Sequence, residues 1–279
     1  MRVLVTNDDG VAAPGILPLA VALAAAGHDL VVAAPQTDMS GSGAALGRLH
    51  VDEHIDVETY ELPGLAGVPT FGVDGPPALA VLAARLGGFG APPELVVSGI
   101  NPGANTGRAT LHSGTVGAAL TAANFGVSAV AVSVEPGPTM HWDTAAALAV
   151  EATAWLAGAP ERTVLNINVP DRSLADLAGV RWASLAPFGT VRAAIAEADL
   201  PGDAAVGTVG RLQMELRETG EVLPPDSDTA LVLAGFAAVT ELVGIRAAGA
   251  NGAAGADGGE GQGDDAVAHL ERTLLARTA

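Results

Sequence analysis

The sequence contains neither cysteine nor lysine. The absence of cysteine excludes disulfide bonds, thiolate zinc sites and cysteine nucleophiles. The absence of lysine excludes the phosphate-binding lysine of P-loop enzymes, the catalytic lysine of protein kinases and Schiff-base chemistry. Aromatic residues are scarce as well, at 3% of 279 residues. The core must therefore consist mainly of alanine, valine and leucine.

Positive charge is also scarce, and the formal net charge is −18. A surface this acidic repels nucleic-acid backbones and anionic membranes, so we expect neither a polynucleotide nor a membrane as a partner. The longest apolar run, at residues 17–26, is too short to span a bilayer. The chain starts directly with a strand pattern and shows no signal peptide, which predicts a cytoplasmic protein. A small phosphate-bearing substrate requires a cation to mask the repulsion.

Apolar runs alternate with segments of helical spacing over residues 1–170, the predicted catalytic core. The continuous apolar character of the strands favours a parallel sheet that is covered on both faces. The alternation predicts an α/β fold with a Rossmann-like, doubly wound and mostly parallel sheet. The predicted strands are 2–6, 29–34, 70–73, 94–97, 128–134 and 163–169, and the predicted helices are 14–26, 77–86, 113–125 and 143–157.

The pattern changes after residue 170. We predict strands at 180–185, 211–216 and 236–242 with no clear helices between them. Residues 171–247 should therefore form a smaller β-rich portion, either packed on the core or used in oligomerisation. Residues 248–265 are rich in glycine and acidic residues, which predicts a disordered linker. Residues 266–279 are predicted to form a C-terminal helix.

Three polar loops follow buried strands: residues 7–10, the loop that contains Ser40 and the loop that contains Asn101. In an open parallel sheet, ligands bind beyond the carboxyl ends of the strands. The first loop, at residues 7–10, contains the adjacent carboxylates Asp8 and Asp9. Adjacent carboxylates are costly unless a cation lies between them or one is protonated. Together with the hydroxyl of Ser40 and the amide of Asn101, they form an oxygen ligand set suited to Mg²⁺ or Mn²⁺. The alternative is a simple turn, which Asn, Asp and Gly also favour.

The Ser-Gly-Thr segment at 113–115 opens a predicted helix. Free backbone N–H groups and the helix dipole there can bind a phosphate. An ordinary serine N-cap is the alternative interpretation. Arg108 is the only basic residue in these loops, and a contact with phosphate is one interpretation of it. A side chain that faces solvent is an equally good interpretation. The candidate substrate-binding residues are Asn7, Asn105, Arg108, Ser113, Gly114 and Thr115.

Eight segments of the chain form an ordered set of motifs. They are VLVTNDDG at 3–10, APGI at 13–16, MSG at 39–41, VSGIN at 97–101, GAN at 103–105, SGTV at 113–116, LNINVP at 165–170 and residues 226–231. This set resembles the stationary-phase survival protein SurE family of nucleotidases. The resemblance implies a Rossmann-like core, a smaller β-hairpin portion used in homodimer or homotetramer assembly, and metal-dependent hydrolysis of nucleoside 5′- and 3′-monophosphates. It implies one divalent metal ion per subunit, with Asp8, Asp9, Ser40 and Asn101 as its ligands.

Two segments depart from the family pattern. Residues 42–47 lack hydroxyl groups that the family has after Ser-Gly, and residues 75–80 lack an acidic residue. These departures motivate an alternative substrate, a non-nucleotide phosphomonoester that is a biosynthetic intermediate. An alternative of another class is a catalytically silent relative that binds phosphate or a nucleotide. If the chain is an enzyme, Asp8 or Asp9 orients or deprotonates the attacking water, and the sequence leaves open which of them does so.

Overall fold

The computed structural model describes residues 1–47, 54–187, 191–199, 211–218 and 222–245. The chain divides into two compact units, Met1–Leu242 and Val243–Ala279, and the second is described only at residues 243–245. The strands are β1 (Arg2–Thr6), β2 (Asp29–Pro35), β3 (Val57–Tyr60), β4 (Thr70–Val73), β5 (Leu95–Pro102), β6 (Ser128–Val134), β7 (Val164–Val169), β8 (Val180–Trp182), β9 (Val191–Asp199), β10 (Arg211–Glu218) and β11 (Ala237–Leu242). The helices are α1 (Ile16–Ala25), α2 (Pro77–Arg85), α3 (Gly114–Asn124), α4 (Trp142–Leu156) and α5 (Asp228–Leu233), and 3₁₀ turns cover Gly107–Leu111 and Leu174–Asp176.

Nine strands form one mixed sheet in the order β3-β4-β2-β1-β5-β6-β7-β11-β8. The central strands from β4 to β7 run parallel. Strand β3 pairs antiparallel with β4, and β11 pairs antiparallel with β7 but parallel with β8. The chain builds outward from β1 through β2 and β4 on one side, and from β5 through β6 and β7 on the other. The predicted doubly wound α/β fold is confirmed. The strand order reverses between β1 and β5, which is where such sheets bind ligands.

Alternation along β1 explains why both faces of the sheet are covered. Val3 and Val5 lie in the apolar cluster formed with α1 and α4, whereas Leu4 lies in the cluster formed with α2 and α3. All three side chains are fully buried, and full burial of each contributes roughly 1.5–3 kcal/mol. In the described part of the chain, no helix is long and apolar enough to cross a membrane.

The region after residue 170 differs in detail from the sequence prediction. Strands β8 and β11 extend the main sheet, and only β9 and β10 form a separate antiparallel pair. Helix α5 lies between the predicted strands, where no clear helix was expected. Its six residues are too few to show a periodic pattern, and its main signal is the N-cap Ser227, whose hydroxyl accepts the N–H of Ala230 at 3.4 Å. The boundary at residue 170 stays a prediction, and the predicted linker and terminal helix lie outside the described residues.

Candidate metal and active site

The turn after β1 holds two carboxylates at the point where the strand order reverses. Asn7 is fully buried. Its Nδ2 donates to the carbonyl oxygen of Gly10 at 3.0 Å, and its Oδ1 accepts the Gly10 N–H at 3.2 Å. Gly10 has a φ of 113°, which favours glycine. Because both amide atoms of Asn7 bind within the turn, Asn7 shapes the turn that carries Asp8 and Asp9. Its contact with the substrate stays a prediction.

Asp8 binds the N-terminus of α3. Its buried carboxylate accepts the N–H of Gly114 at 3.1 Å and the hydroxyl proton of Thr115. A Cβ on residue 114 would lie 2.6 Å from the Cβ of Asp8, so glycine permits this approach. The helix N-terminus stabilises a negative charge. The N–H of Gly114, one of the backbone donors predicted for phosphate, therefore binds Asp8, whereas Thr115 binds it through its hydroxyl.

Asp9 has a buried carboxylate oxygen without a partner. Its Oδ2 is inaccessible to solvent and accepts no hydrogen bond from the described residues. The pKa of Asp9 is raised from 3.8 to about 7, first by burial and then by the negative charges of Asp8 and Asp38. A buried carboxylate is costly unless it is paired or coordinates a metal. The unsatisfied oxygen and the adjacent charges fit a divalent cation at this position.

The loop that contains Ser40 is held against the same turn and against α3. The N–H of Met39 donates to the carbonyl oxygen of Asp8 at 2.7 Å, and the N–H of Gly43 donates to the carbonyl oxygen of His112 at 3.1 Å. Gly117 of α3 packs on this loop, because a Cβ there would lie 2.1 Å from the Gly43 carbonyl oxygen. The backbone thus positions the loop beside the carboxylates.

Two serines of this loop differ in their surroundings. Ser40 is exposed, and its hydroxyl donates to the Oδ1 of Asp38 at 2.6 Å. The Oγ of Ser42 is buried without a hydrogen-bond partner among the described residues. It lies 2.7 Å from the position that a Cβ on Gly114 would occupy, and so next to Asp8. Ser40 was predicted from its sequence motif, whereas Asp38 and Ser42 were given no role.

The end of β5 brings Asn101 to the same edge of the sheet. The Nδ2 of Asn101 donates to the carbonyl oxygen of Gly103 at 2.5 Å, which leaves the amide oxygen as the atom that can bind a cation. The preceding peptide bond, Gly99–Ile100, is cis. Gly15 packs on the Ile100 carbonyl oxygen, which would lie 2.0 Å from a Cβ on residue 15. This contact joins the end of β5 to the segment that follows the aspartate turn.

Asn105 is held by polar side chains of β6 and β7. Its N–H donates to the Oδ1 of Asn168 at 2.6 Å, and its Nδ2 donates to the Oγ of Ser133 at 3.0 Å. Its carbonyl oxygen accepts from the amides of Asn166 and Asn168 at 2.9 and 3.1 Å. Asn166 and Asn168 were not among the predicted site residues. Their signal is two amide side chains at alternating positions of an otherwise apolar strand.

The segment between Asn105 and α3 contains the remaining predicted residues. Ser113 caps α3, since its Oγ accepts the N–H of Val116 at 3.1 Å, so the N-cap interpretation is confirmed for this residue. Arg108 is exposed in the 3₁₀ turn. The structure therefore places Ser113 at the site and leaves Arg108 at its surface.

A buried carboxylate of α5 binds the segment between Asn105 and α3. Asp228 is fully buried and accepts the N–H of Gly107 at 2.8 Å and that of Ala186 at 2.9 Å. Sequence reasoning missed Asp228 as a site-supporting residue, because its distant partners cannot be inferred from a local pattern.

The donor set of the site is unusually poor in charged ligands. In the described ranges, no group of three or more His, Asp or Glu residues is arranged to hold a metal ion. A cation at this site would depend on Asp8, Asp9 and neutral oxygen atoms. An all-oxygen set of this kind suits Mg²⁺ or Mn²⁺.

Comparison with known proteins identifies relatives of the chain. Residues 3–191 match the family described as Survival protein SurE. Proteins named 5′-nucleotidase SurE from Xanthomonas campestris pv. campestris and Xanthomonas oryzae pv. oryzae are 44% identical over 186 residues, which cover 64% of this chain and 67% of theirs. The crystal structure of SurE protein from Aquifex aeolicus matches with a TM-score of 0.68 and 27% identity, over 87% of this chain and 93% of that one.

Proposed function

The chain belongs to the survival protein SurE family, and on that premise we propose that it is a divalent-metal-dependent phosphomonoesterase that hydrolyses nucleoside 5′- or 3′-monophosphates. One observation carries this proposal. Two adjacent carboxylates lie where the strand order reverses, and one of them, Asp9, keeps a buried oxygen without a hydrogen-bond partner among the described residues. The relatives named 5′-nucleotidase SurE support a nucleoside monophosphate as the substrate.

The proposed ligands are Asp8, Asp9, Ser40 and Asn101, and they would bind one Mg²⁺ or Mn²⁺ ion per subunit. All four offer hard oxygen atoms. When bound, the cation would neutralise charge on the phosphate and lower the pKa of a water molecule. The formal net charge of −18 makes this neutralisation necessary for an anionic substrate.

The two aspartates have different parts in this proposal. The carboxylate of Asp8 is held by Gly114 and Thr115, which suits an orienting role. In this proposal the buried Oδ2 of Asp9 binds the cation, and the other carboxylate oxygen of Asp9 accepts the proton of the attacking water. The water oxygen forms a bond to phosphorus, the bond from phosphorus to the nucleoside oxygen breaks, and that oxygen takes up a proton.

Phosphoryl transfer depends mainly on positioning and on charge stabilisation. Asn105 is proposed to contact the phosphate from a fixed position, because three side chains of β6 and β7 hold it. Arg108, Ser113 and the first turn of α3 stay proposed phosphate contacts. The acidic chain favours a small substrate over a polynucleotide, and we also propose a cytoplasmic homodimer or homotetramer.

A phosphate-release assay on the purified full chain tests this function. We expect Mn²⁺ or Mg²⁺ to support hydrolysis of mononucleotides, EDTA to abolish it, and added metal to restore it. Asp8→Asn and Asp9→Asn should each lose about a hundredfold or more in kcat. Glu161→Gln, which changes an exposed carboxylate just before the amino end of β7, at the opposite edge of the sheet, should keep the wild-type rate.

The same assay separates the alternatives. Faster release of phosphate from sugar phosphates than from any nucleotide would favour a non-nucleotide substrate. The segments at 42–47 and 75–80, which depart from the family pattern, are the reason for considering this alternative. Metal binding without turnover on any ester would favour the catalytically silent relative. Undiminished hydrolysis by Asp8→Asn would contradict the proposed metal site.

A further inference from the structure

Ser40 is the weakest of the proposed metal ligands if it acts alone. A serine hydroxyl is neutral, and Ser40 is exposed, so without a partner its side chain can rotate and hydrogen-bond to water. A neutral ligand contributes to a metal site mainly when another group fixes its orientation. The described contacts of Ser40 show what fixes it.

Asp38 binds Ser40 twice through one carboxylate oxygen. The N–H of Ser40 donates to the Oδ1 of Asp38 at 2.8 Å, and its hydroxyl donates to the same atom at 2.6 Å. The second distance is in the range of a charge-assisted O–H···O⁻ bond. The two bonds fix the orientation of the Ser40 side chain relative to its backbone. The hydroxyl proton points at Asp38, and both lone pairs of the oxygen stay available to a cation.

The loop around this pair is anchored next to the carboxylate turn. Met39, which lies between Asp38 and Ser40, donates its N–H to the carbonyl oxygen of Asp8 at 2.7 Å. The residue that follows Asp8 in the turn is Asp9, whose unpartnered Oδ2 is buried. The fixed hydroxyl and the unsatisfied carboxylate oxygen therefore belong to neighbouring segments.

We propose that Asp38 is a positioning residue of the metal site, which orients the hydroxyl of Ser40 and increases the negative charge on its oxygen. This inference rests on the proposed function, because it assumes that Ser40 binds a divalent cation. Asp38 acts through Ser40 and is not itself a ligand. This carboxylate–hydroxyl–metal arrangement would strengthen cation binding at a site with only two acidic ligands.

Mn²⁺ binding to the metal-free full chain tests the inference, measured by electron paramagnetic resonance of free Mn²⁺. We expect Asp38→Ala to weaken Mn²⁺ binding about tenfold or more, as is typical when the partner of a metal ligand is lost. Asp38→Asn should lose less, because an amide oxygen can still accept from Ser40. Glu161→Gln removes one charge at the opposite edge of the sheet and should stay within about twofold of wild type.

A double-mutant cycle shows whether Asp38 acts through Ser40. If it does, the Asp38→Ala/Ser40→Ala double variant should bind Mn²⁺ about as well as Ser40→Ala alone. Fully additive losses would overturn the inference, and so would an Asp38→Ala variant with wild-type affinity. The dissociation constants are measured at about 0.3 M salt, which screens the long-range charge of Asp38. A wild-type chain that binds no Mn²⁺ would instead refute the proposed function from which the inference starts.

Discussion

Two neighbouring aspartates in this chain have very different surroundings. Asp8 is satisfied by the N–H of Gly114 and the hydroxyl of Thr115. Asp9 lies beside it with an oxygen that is buried and unpaired among the described residues, and its pKa is raised to about 7. Neighbouring carboxylates that differ this much in hydrogen bonding and burial can take different roles in one reaction.

The substitution Asp9→Asn should stabilise the metal-free protein at alkaline pH. The pKa of Asp9 is about 7 in the folded chain against an ordinary value of 3.8. A group with a raised folded-state pKa contributes stability below pH 3.8, and this contribution is lost as the pH rises through 7. In EDTA, the variant should therefore gain stability relative to wild type between pH 4 and pH 8, as measured by urea unfolding.

Added Mn²⁺ supplies the control for this comparison. At pH 8 it should raise the unfolding temperature of the wild-type chain and leave that of Asp9→Asn nearly unchanged, since ligand binding stabilises only a protein that keeps its site. A stability difference that is the same at pH 4 and pH 8 would show that Asp9 is not the titrating group.

At the scale of elements, the N-terminal half of α3 joins the parts of the site. Its first residues bind Asp8, and its next turn packs on the loop that contains Ser40. Small residues make both contacts possible. The helix therefore determines where two of the three polar loops lie relative to each other.

Replacing Gly117 by alanine should damage the metal site although residue 117 supplies no ligand. In an isolated helix, alanine is better than glycine by about 1 kcal/mol. Here the new Cβ would lie 2.1 Å from the carbonyl oxygen of Gly43 and 2.7 Å from the N of Ala44, both backbone atoms that cannot rotate away. We expect a net destabilisation of about 1–3 kcal/mol in urea unfolding and weaker Mn²⁺ binding.

Gly158→Ala is a matched control for this substitution. A Cβ at Gly158 would have its nearest neighbour at 3.9 Å, the carbonyl oxygen of Trp155, and this position precedes β7 at the opposite edge of the sheet. The control should change neither stability nor Mn²⁺ affinity beyond a few tenths of a kcal/mol. Wild-type behaviour of Gly117→Ala would mean that the loop moves without cost.

The central strands could be predicted because each is a continuous apolar run. The predicted strands at 2–6, 70–73 and 128–134 match β1, β4 and β6 in both bounds. The exposed edge strand β3 was missed, since its alternation is weak and its burial is low. The strand β9 was missed as well. Its partner β10 supplies the pairing that a single-sequence pattern does not contain.

Those residues of the candidate site that lie at the ends of strands could be predicted from the sequence. Asp8, Asp9 and Asn101 follow β1 or end β5, so topology alone brings them to one edge. Contacts between distant segments were not predictable. The bond from Asp8 to Gly114 spans 106 residues and that from Gly107 to Asp228 spans 121. Such pairs depend on how helices dock, which no local spacing encodes.

At the scale of the whole molecule, the strands β9 and β10 form an antiparallel pair that is not part of the nine-stranded sheet. Met214 of β10 pairs with Ile195 of β9, so the two side chains lie on the same face. They are 62% and 55% exposed in the single chain. A pair of large apolar side chains on an isolated two-stranded sheet is poorly stabilised unless another surface covers it.

We propose that this face of the β9–β10 pair contacts a second copy of the chain, and the substitution Met214→Glu tests it. A charge placed opposite Ile195 would be buried in such an interface, and it would also repel another chain of net charge −18. Light scattering after size-exclusion chromatography should show a dimer or tetramer for wild type and a shift towards monomer for the variant. Leu86→Glu adds the same charge at a residue that is 77% exposed next to α2, and it should keep the wild-type mass. A Met214→Glu chain with unchanged mass at micromolar concentration would exclude this face from the assembly, because one buried carboxylate per protomer is too costly for such an interface to tolerate.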